Sequence, residues 1–249
     1  MGNSLAISLK LMFAALGLAM VFTLVYTIST DGHPFRKELL TPWMVATLVD
    51  FYINVVVLAA WVLYKESSWI SAVLWVILLV CLGSITTCIY IVVQLFKLSP
   101  QESAQDPIYY ALLRHPSKNS NAEQKTNLPP VIFARISFGA LGCLMFGTLL
   151  YTMLTDGSPF RNELWTPWMV ATLIDFYINV IALSVWVAYK ESSLIGAAFW
   201  IILLICFGSI TTCVYIVRQL FQLTSQDPLY LVFFKIGDRA ERRYERPVF

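Results

Sequence analysis

Charge is scarce in this sequence: only 13% of its 249 residues are Asp, Glu, Lys or Arg, about half the share in ordinary soluble domains. Histidine is scarcer, and His33 and His115 are too isolated to mark a metal centre. The five cysteines, Cys81, Cys88, Cys143, Cys206 and Cys213, form no Cys-x-x-Cys pair and match no zinc spacing, so they read as thiols buried within helices. There is no Walker loop, dinucleotide fingerprint or serine-nucleophile elbow. These absences leave catalysis with little support, and neither a cofactor nor a nucleic-acid partner is expected.

What fills the chain is apolar. Hydrophobic residues make up 58%, and mean hydropathy is +0.70. A bilayer core about 30 Å thick asks for spans of roughly 20 mostly apolar residues. Six runs qualify: Leu5 to Ile28, Trp43 to Tyr64, Trp69 to Phe96, Val131 to Leu154, Trp168 to Tyr189, and Leu194 to Phe221. The third and sixth approach 28 residues, about 42 Å as one helix, so they must tilt, bend or project. The first run resembles a secretory leader, but no small-residue cleavage site follows and its counterpart after Val131 is internal, so it is expected to be retained. Met1-Gly2-Asn3-Ser4 hints at myristoylation, yet Ala6 stands where that motif wants Ser or Thr.

The runs fall into two copies. Thr30 to Leu98 returns as Thr155 to Leu223, with about 50 of the 69 aligned positions identical, and a repeat of that kind governs the fold. The expected fold class is all-α: a six-helix transmembrane bundle of two three-helix repeats, 1–98 and 131–223, joined by a polar loop at 99–130 and followed by a basic tail at 224–249. The joining segment holds Pro100, Pro107, Pro116, Pro129 and Pro130, has room for one short amphipathic turn, and cannot span. An odd helix count per copy then inverts the second copy, as in many transporters. Basic residues are nearly balanced between the two faces, about 9 against about 8, which is what inverted copies would produce. The tail breaks the tie: Lys235, Arg239, Arg242, Arg243 and Arg246 favour both termini in the cytoplasm, although Asp238, Glu241 and Glu245 dilute any attraction to lipid heads.

Local signals mark the helix ends. Thr41-Pro42-Trp43 and Thr166-Pro167-Trp168 each place a capping hydroxyl before a proline and an interfacial aromatic. Asp31-Gly32 and Asp156-Gly157 close the preceding helices. Lys65-Glu66-Ser67-Ser68 and Lys190-Glu191-Ser192-Ser193 read as water-exposed turns of antiparallel hairpins. Arg36 with Glu38, and Arg161 with Glu163, read as interfacial ion pairs that fix the loop, in preference to a charged vestibule guarding a cavity.

Candidate function rests on membrane-depth polar residues. Thr47, Asp50 and Asn54 share one helix face at i, i+3 and i+7, as do Thr172, Asp175 and Asn179. Asp50 lies about 10 Å past Trp43 and Asn54 about 16 Å past it, so inverted copies would bring both asparagines toward the midplane. A second polar stretch supplies Ser84 and Thr87, repeated as Ser209 and Thr212. Such carboxylates are costly in lipid and mark ion, proton or substrate sites by default. They also serve as glue between helices, at about 0.6 kcal/mol per hydrogen bond. The sequence leaves both roles open.

The strings Asp31-Gly32-His33-Pro34-Phe35-Arg36, Thr41-Pro42-Trp43-Met44-Val45-Ala46-Thr47-Leu48-Val49-Asp50-Phe51-Tyr52 and Gln105-Asp106-Pro107-Ile108-Tyr109, the last echoed by Gln226-Asp227-Pro228-Leu229-Tyr230, resemble an uncharacterised plant membrane family, domain of unknown function 1475. The resemblance implies coverage of nearly the whole chain and a plant origin, and it carries over no activity and no residue roles. Two functions are weighed: a small-solute, ion or proton transporter or channel, and an accessory or assembly subunit of a larger membrane complex or homo-oligomer. An intramembrane enzyme using the two aspartates ranks third. The lipid bilayer is the one partner both main readings require.

Overall fold

The computed structural model describes residues 2–112, 130–224 and 227–234. His115, the middle of the joining segment and the basic tail from Lys235 onward lie outside the described residues. The described chain is all-helical, with no strand among the described residues: α1 (Gly2–Asp31), α2 (Pro42–Lys65), α3 (Trp69–Leu82), α4 (Ser84–Phe96), α5 (Pro100–Gln105), α6 (Pro107–Leu112), α7 (Pro130–Asp156), α8 (Pro167–Lys190), α9 (Leu194–Phe207) and α10 (Ser209–Phe221). Single 3₁₀ turns precede α2 and α8.

Four helices, α1, α2, α7 and α8, are long and apolar enough to cross a membrane. Less than a quarter of the apolar window of α1 or α7 is buried, and side chains such as Leu11, Phe22, Phe133 and Leu154 stand exposed. Apolar surface on that scale fits a membrane protein.

The third and sixth apolar runs are not continuous. Each breaks at a glycine, Gly83 or Gly208, into helices of 14 and 13 residues. The expected 28-residue helices are therefore pairs, which relieves their excess length by bending the chain. The joining segment also holds more structure than one turn. Ser99 caps α5, with its hydroxyl accepting from the Glu102 amide while the Glu102 carboxylate accepts from the Ser99 amide, a reciprocal box written in Ser-Pro-x-Glu; α6 follows after Asp106.

The described residues form two compact units. The first draws on described residues within 2–112 and 144–182, the second on those within 130–143, 183–224 and 227–234. In the first unit α1 lies along α4; a Cβ on Gly17 would come within 3.2 Å of the Cys88 Cβ, so glycine sets how close the two approach. α5 and α6 pack on the start of α1. Trp43, Met44, Trp168, Met169 and Leu164 form an apolar core at the starts of α2 and α8, and the Trp168 indole donates to the Gly32 carbonyl, just past the end of α1, at 3.2 Å. The capping threonines behave as the sequence indicates: Thr41 and Thr166 hydroxyls accept from the Met44 and Met169 amides, each at 3.2 Å.

In the second unit α9 packs on α10, and a Cβ on Gly142 would meet the Cys213 Cβ at 3.2 Å. Arg135 donates to the Leu220 and Leu223 carbonyls at 3.0 and 2.7 Å and lies over the Phe221 ring, closing the end of α10. The equivalent Lys10 of the first unit lies over Phe96 at 4.5 Å.

Candidate functional site: a capped helix break

Gly83 adopts φ 55° and ψ −130°, a conformation that costs any residue with a Cβ. Ending one helix and starting another inside an apolar run exposes carbonyls of α3 and amides of α4 where water cannot satisfy them. The break is closed from three directions. The Gly83 amide reaches back to the Leu79 carbonyl at 3.0 Å. The Thr86 hydroxyl donates across the break to the Leu78 carbonyl at 2.9 Å. The first amide of α4, on Ser84, donates to Asp175 Oδ1 at 2.7 Å. Glycine is required here twice over, because a Cβ at position 83 would run into the Asp175 carboxylate.

One turn further along α8, Asn179 is fully buried, and its Oδ1 accepts from the Thr87 hydroxyl at 2.8 Å. Among the described residues nothing pairs with its Nδ2. Asp175 and Asn179, at i and i+4 near the middle of α8, thus form a polar strip against the start of α4. The carboxyl oxygen sits at the amide end of α4, where the helix dipole is positive.

Four of the ten sequence candidates, Asp175, Asn179, Ser84 and Thr87, therefore meet. Thr47 and Thr172 do not join them: their hydroxyls turn back to the Trp43 and Trp168 carbonyls at 2.9 and 2.8 Å. Asp50, half-buried, and Asn54, fully buried, hold the equivalent positions on α2. In the second unit Ser209 and Thr212 are buried beside Gly208, whose φ of 52° and ψ of −127° repeat the first break. There Thr211 donates to the Leu203 carbonyl at 2.8 Å, and Thr212 to the Gly208 carbonyl at 3.4 Å.

Three expectations need correction. Arg36 pairs with Asp31 at 2.5 Å and Arg161 with Asp156 at 2.7 Å, not with Glu38 and Glu163; the Asp-Gly turn folds each arginine back onto the helix it leaves. Cys81, Cys143 and Cys206 are exposed, and only Cys88 and Cys213 are buried, because an apolar composition does not separate lipid-facing from inward-facing positions. The Lys65-Glu66 and Lys190-Glu191 turns are not simply water-exposed. Lys65 and Lys190 are buried, and the Lys65 ammonium donates to the Tyr110 carbonyl at 2.9 Å.

Glu66 gathers a cluster that sequence reasoning missed. Its Oε1 accepts from the Tyr90 hydroxyl at 3.0 Å and the Gln94 amide at 3.2 Å, and its Oε2 from the Ser71 hydroxyl at 2.7 Å. The signal available was the i, i+4 pair Tyr90 and Gln94 on one face of α4, but which carboxylate they face depends on the break at Gly83.

No curated protein and no solved structure matches the chain. A family model does, described as protein of unknown function (DUF1475), and it covers residues 2–240. The sequence strings, the apolar helices and that coverage agree, and the chain belongs to the DUF1475 family.

Proposed function

We propose that this chain is a multi-pass membrane transporter or channel for a proton or small solute, with six crossings in two inverted repeats, both termini cytoplasmic, and Asp175 as the ion-responsive group. The observation that carries the reading is the Ser84 amide held by Asp175 at a helix break in an apolar run. Discontinuous helices whose ends meet charged groups are how secondary transporters build midplane sites. An ionised Asp175 is the best cap for α4. A proton or cation arriving at the carboxylate competes with the Ser84 amide for it, so occupancy and the position of the half-helix are coupled as one two-state element. The Asn179 Nδ2, without a partner among the described residues, offers a second hydrogen-bonding point one turn away for a solute or water. Asp50 and Asn54 hold the corresponding places in the first repeat.

The test is proton flux into liposomes containing the full-length protein and a trapped pH dye. Asp175→Asn keeps an oxygen for the Ser84 amide but cannot carry a proton. Flux is expected to fall at least tenfold with melting temperature nearly unchanged. Absence of flux in the native protein under both a pH gradient and a membrane potential, or full flux in the variant, sinks the proposal. An accessory subunit is the second reading, favoured by the Thr87–Asn179 and Ser84–Asp175 bonds being internal to the chain. Co-purification of a stoichiometric membrane partner in mild detergent would support it.

A further inference from the structure

The Glu66 cluster occurs twice, and the two copies differ in the charge that lies against the tryptophan ring. In the second unit Glu191 Oε1 accepts from the Tyr215 hydroxyl at 2.9 Å and from Arg218 at 3.4 Å. The Arg218 guanidinium lies 5.3 Å from the Trp200 ring centroid, and the Trp200 and Tyr215 rings stand 5.0 Å apart at 67°. A cation is thus held between a carboxylate and an aromatic face. In the first unit the same frame is present: Tyr90 donates to Glu66 at 3.0 Å, and the Trp75 and Tyr90 rings stand 5.0 Å apart at 69°. The residue at the arginine position is Val93, which brings no charge to Trp75.

Other groups near Glu66 do not supply the missing cation in the same place. Ser71, where the second copy has Gly196, adds a neutral hydroxyl to Oε2. Lys65, whose ammonium donates to the Tyr110 carbonyl and whose charge also acts on Glu66, is matched by Lys190 and so is common to both copies; Glu191 takes Arg218 in addition to it. Lys97, where the second copy has Gln222, is exposed.

We infer that Glu66, Trp75 and Tyr90 form a binding site for an organic ammonium group, seated where the Arg218 guanidinium sits beside Glu191, Trp200 and Tyr215 in the second repeat. Alkyl-substituted ammonium fits this frame because its carbons pack on the indole while its charge faces the carboxylate. The site adjoins the turn between α2 and α3, where Trp69 and Ile70 at the start of α3 are 75% and 80% exposed, as interfacial residues are. That depth is shared by ethanolamine and choline headgroups and is open to free amines.

The experiment uses the purified full-length chain. Choline and ethanolamine are titrated by calorimetry, and phosphatidylethanolamine and phosphatidylcholine are compared with phosphatidylglycerol by native mass spectrometry. Val93→Arg places in the first repeat the arginine that the second already accommodates, and is expected to lower binding at least about tenfold. Glu66→Gln, with the carboxylate shape retained, is expected to do the same. Arg218→Val is expected to raise the stoichiometry from one site to two. Melting temperatures verify that each variant is folded. Binding in the lipid arm alone assigns a headgroup, and binding in both arms assigns the ammonium group itself. No ammonium-selective binding in either arm, or binding unchanged by Val93→Arg and Glu66→Gln, overturns the inference.

Discussion

Single residues decide the local chemistry. Gly83 is the clearest case: its positive φ and the Asp175 carboxylate against it both forbid a side chain. Gly83→Ala is expected to cost about 1–3 kcal/mol from backbone strain alone, read as a fall of several degrees in melting temperature in detergent. An unchanged melting temperature would mean that the break is not held as described. Asp175 and Asn179 were legible in the sequence as membrane-depth polar residues on one helix face. Their partners were not, because Ser84 and Thr87 lie about 90 positions away and nothing local says which helix they meet. Glu66 shows the converse error. It stands in what reads as a solvent turn, yet tyrosine, glutamine and serine side chains converge on it.

At the scale of helices, the ends carry the information. Helices α2 and α8 begin where Thr-Pro-Trp indicates, since cap, proline and aromatic all act locally. Helix α10 ends under Arg135, which reaches it from α7 across 85 positions. Removing that donor in Arg135→Met leaves the Leu220 and Leu223 carbonyls without it and is expected to cost about 1–3 kcal/mol. Amide exchange in the last turn of α10 should rise at least tenfold while the middle of α8 is unaffected. Uniform exchange across both helices would contradict the capping role. The breaks at Gly83 and Gly208 were concealed in the sequence by high hydropathy on either side. A glycine followed by Ser, Thr and Thr was the cue, but it fits close helix packing as well as it fits a bend.

For the whole molecule, the proposed inversion makes a topological prediction. In a cysteine-free background, Ser67→Cys and Ser192→Cys occupy equivalent turns of the two repeats, and inverted copies put them on opposite faces of the membrane. A membrane-impermeant maleimide should label one in sealed vesicles and the other only after permeabilisation. Labelling of both from the same side refutes inversion. The sequence by itself determined the all-helical, apolar character, the duplication, and most helix boundaries, because hydropathy, capping and turn chemistry act over a few neighbouring residues. Tertiary structure alone decided that the long third helix is broken, that Asp175 rather than water satisfies the new helix end, and that Glu66 and Glu191 collect different partners. Those outcomes depend on groups far apart in the chain meeting in an apolar setting, where every exposed backbone amide must find a partner.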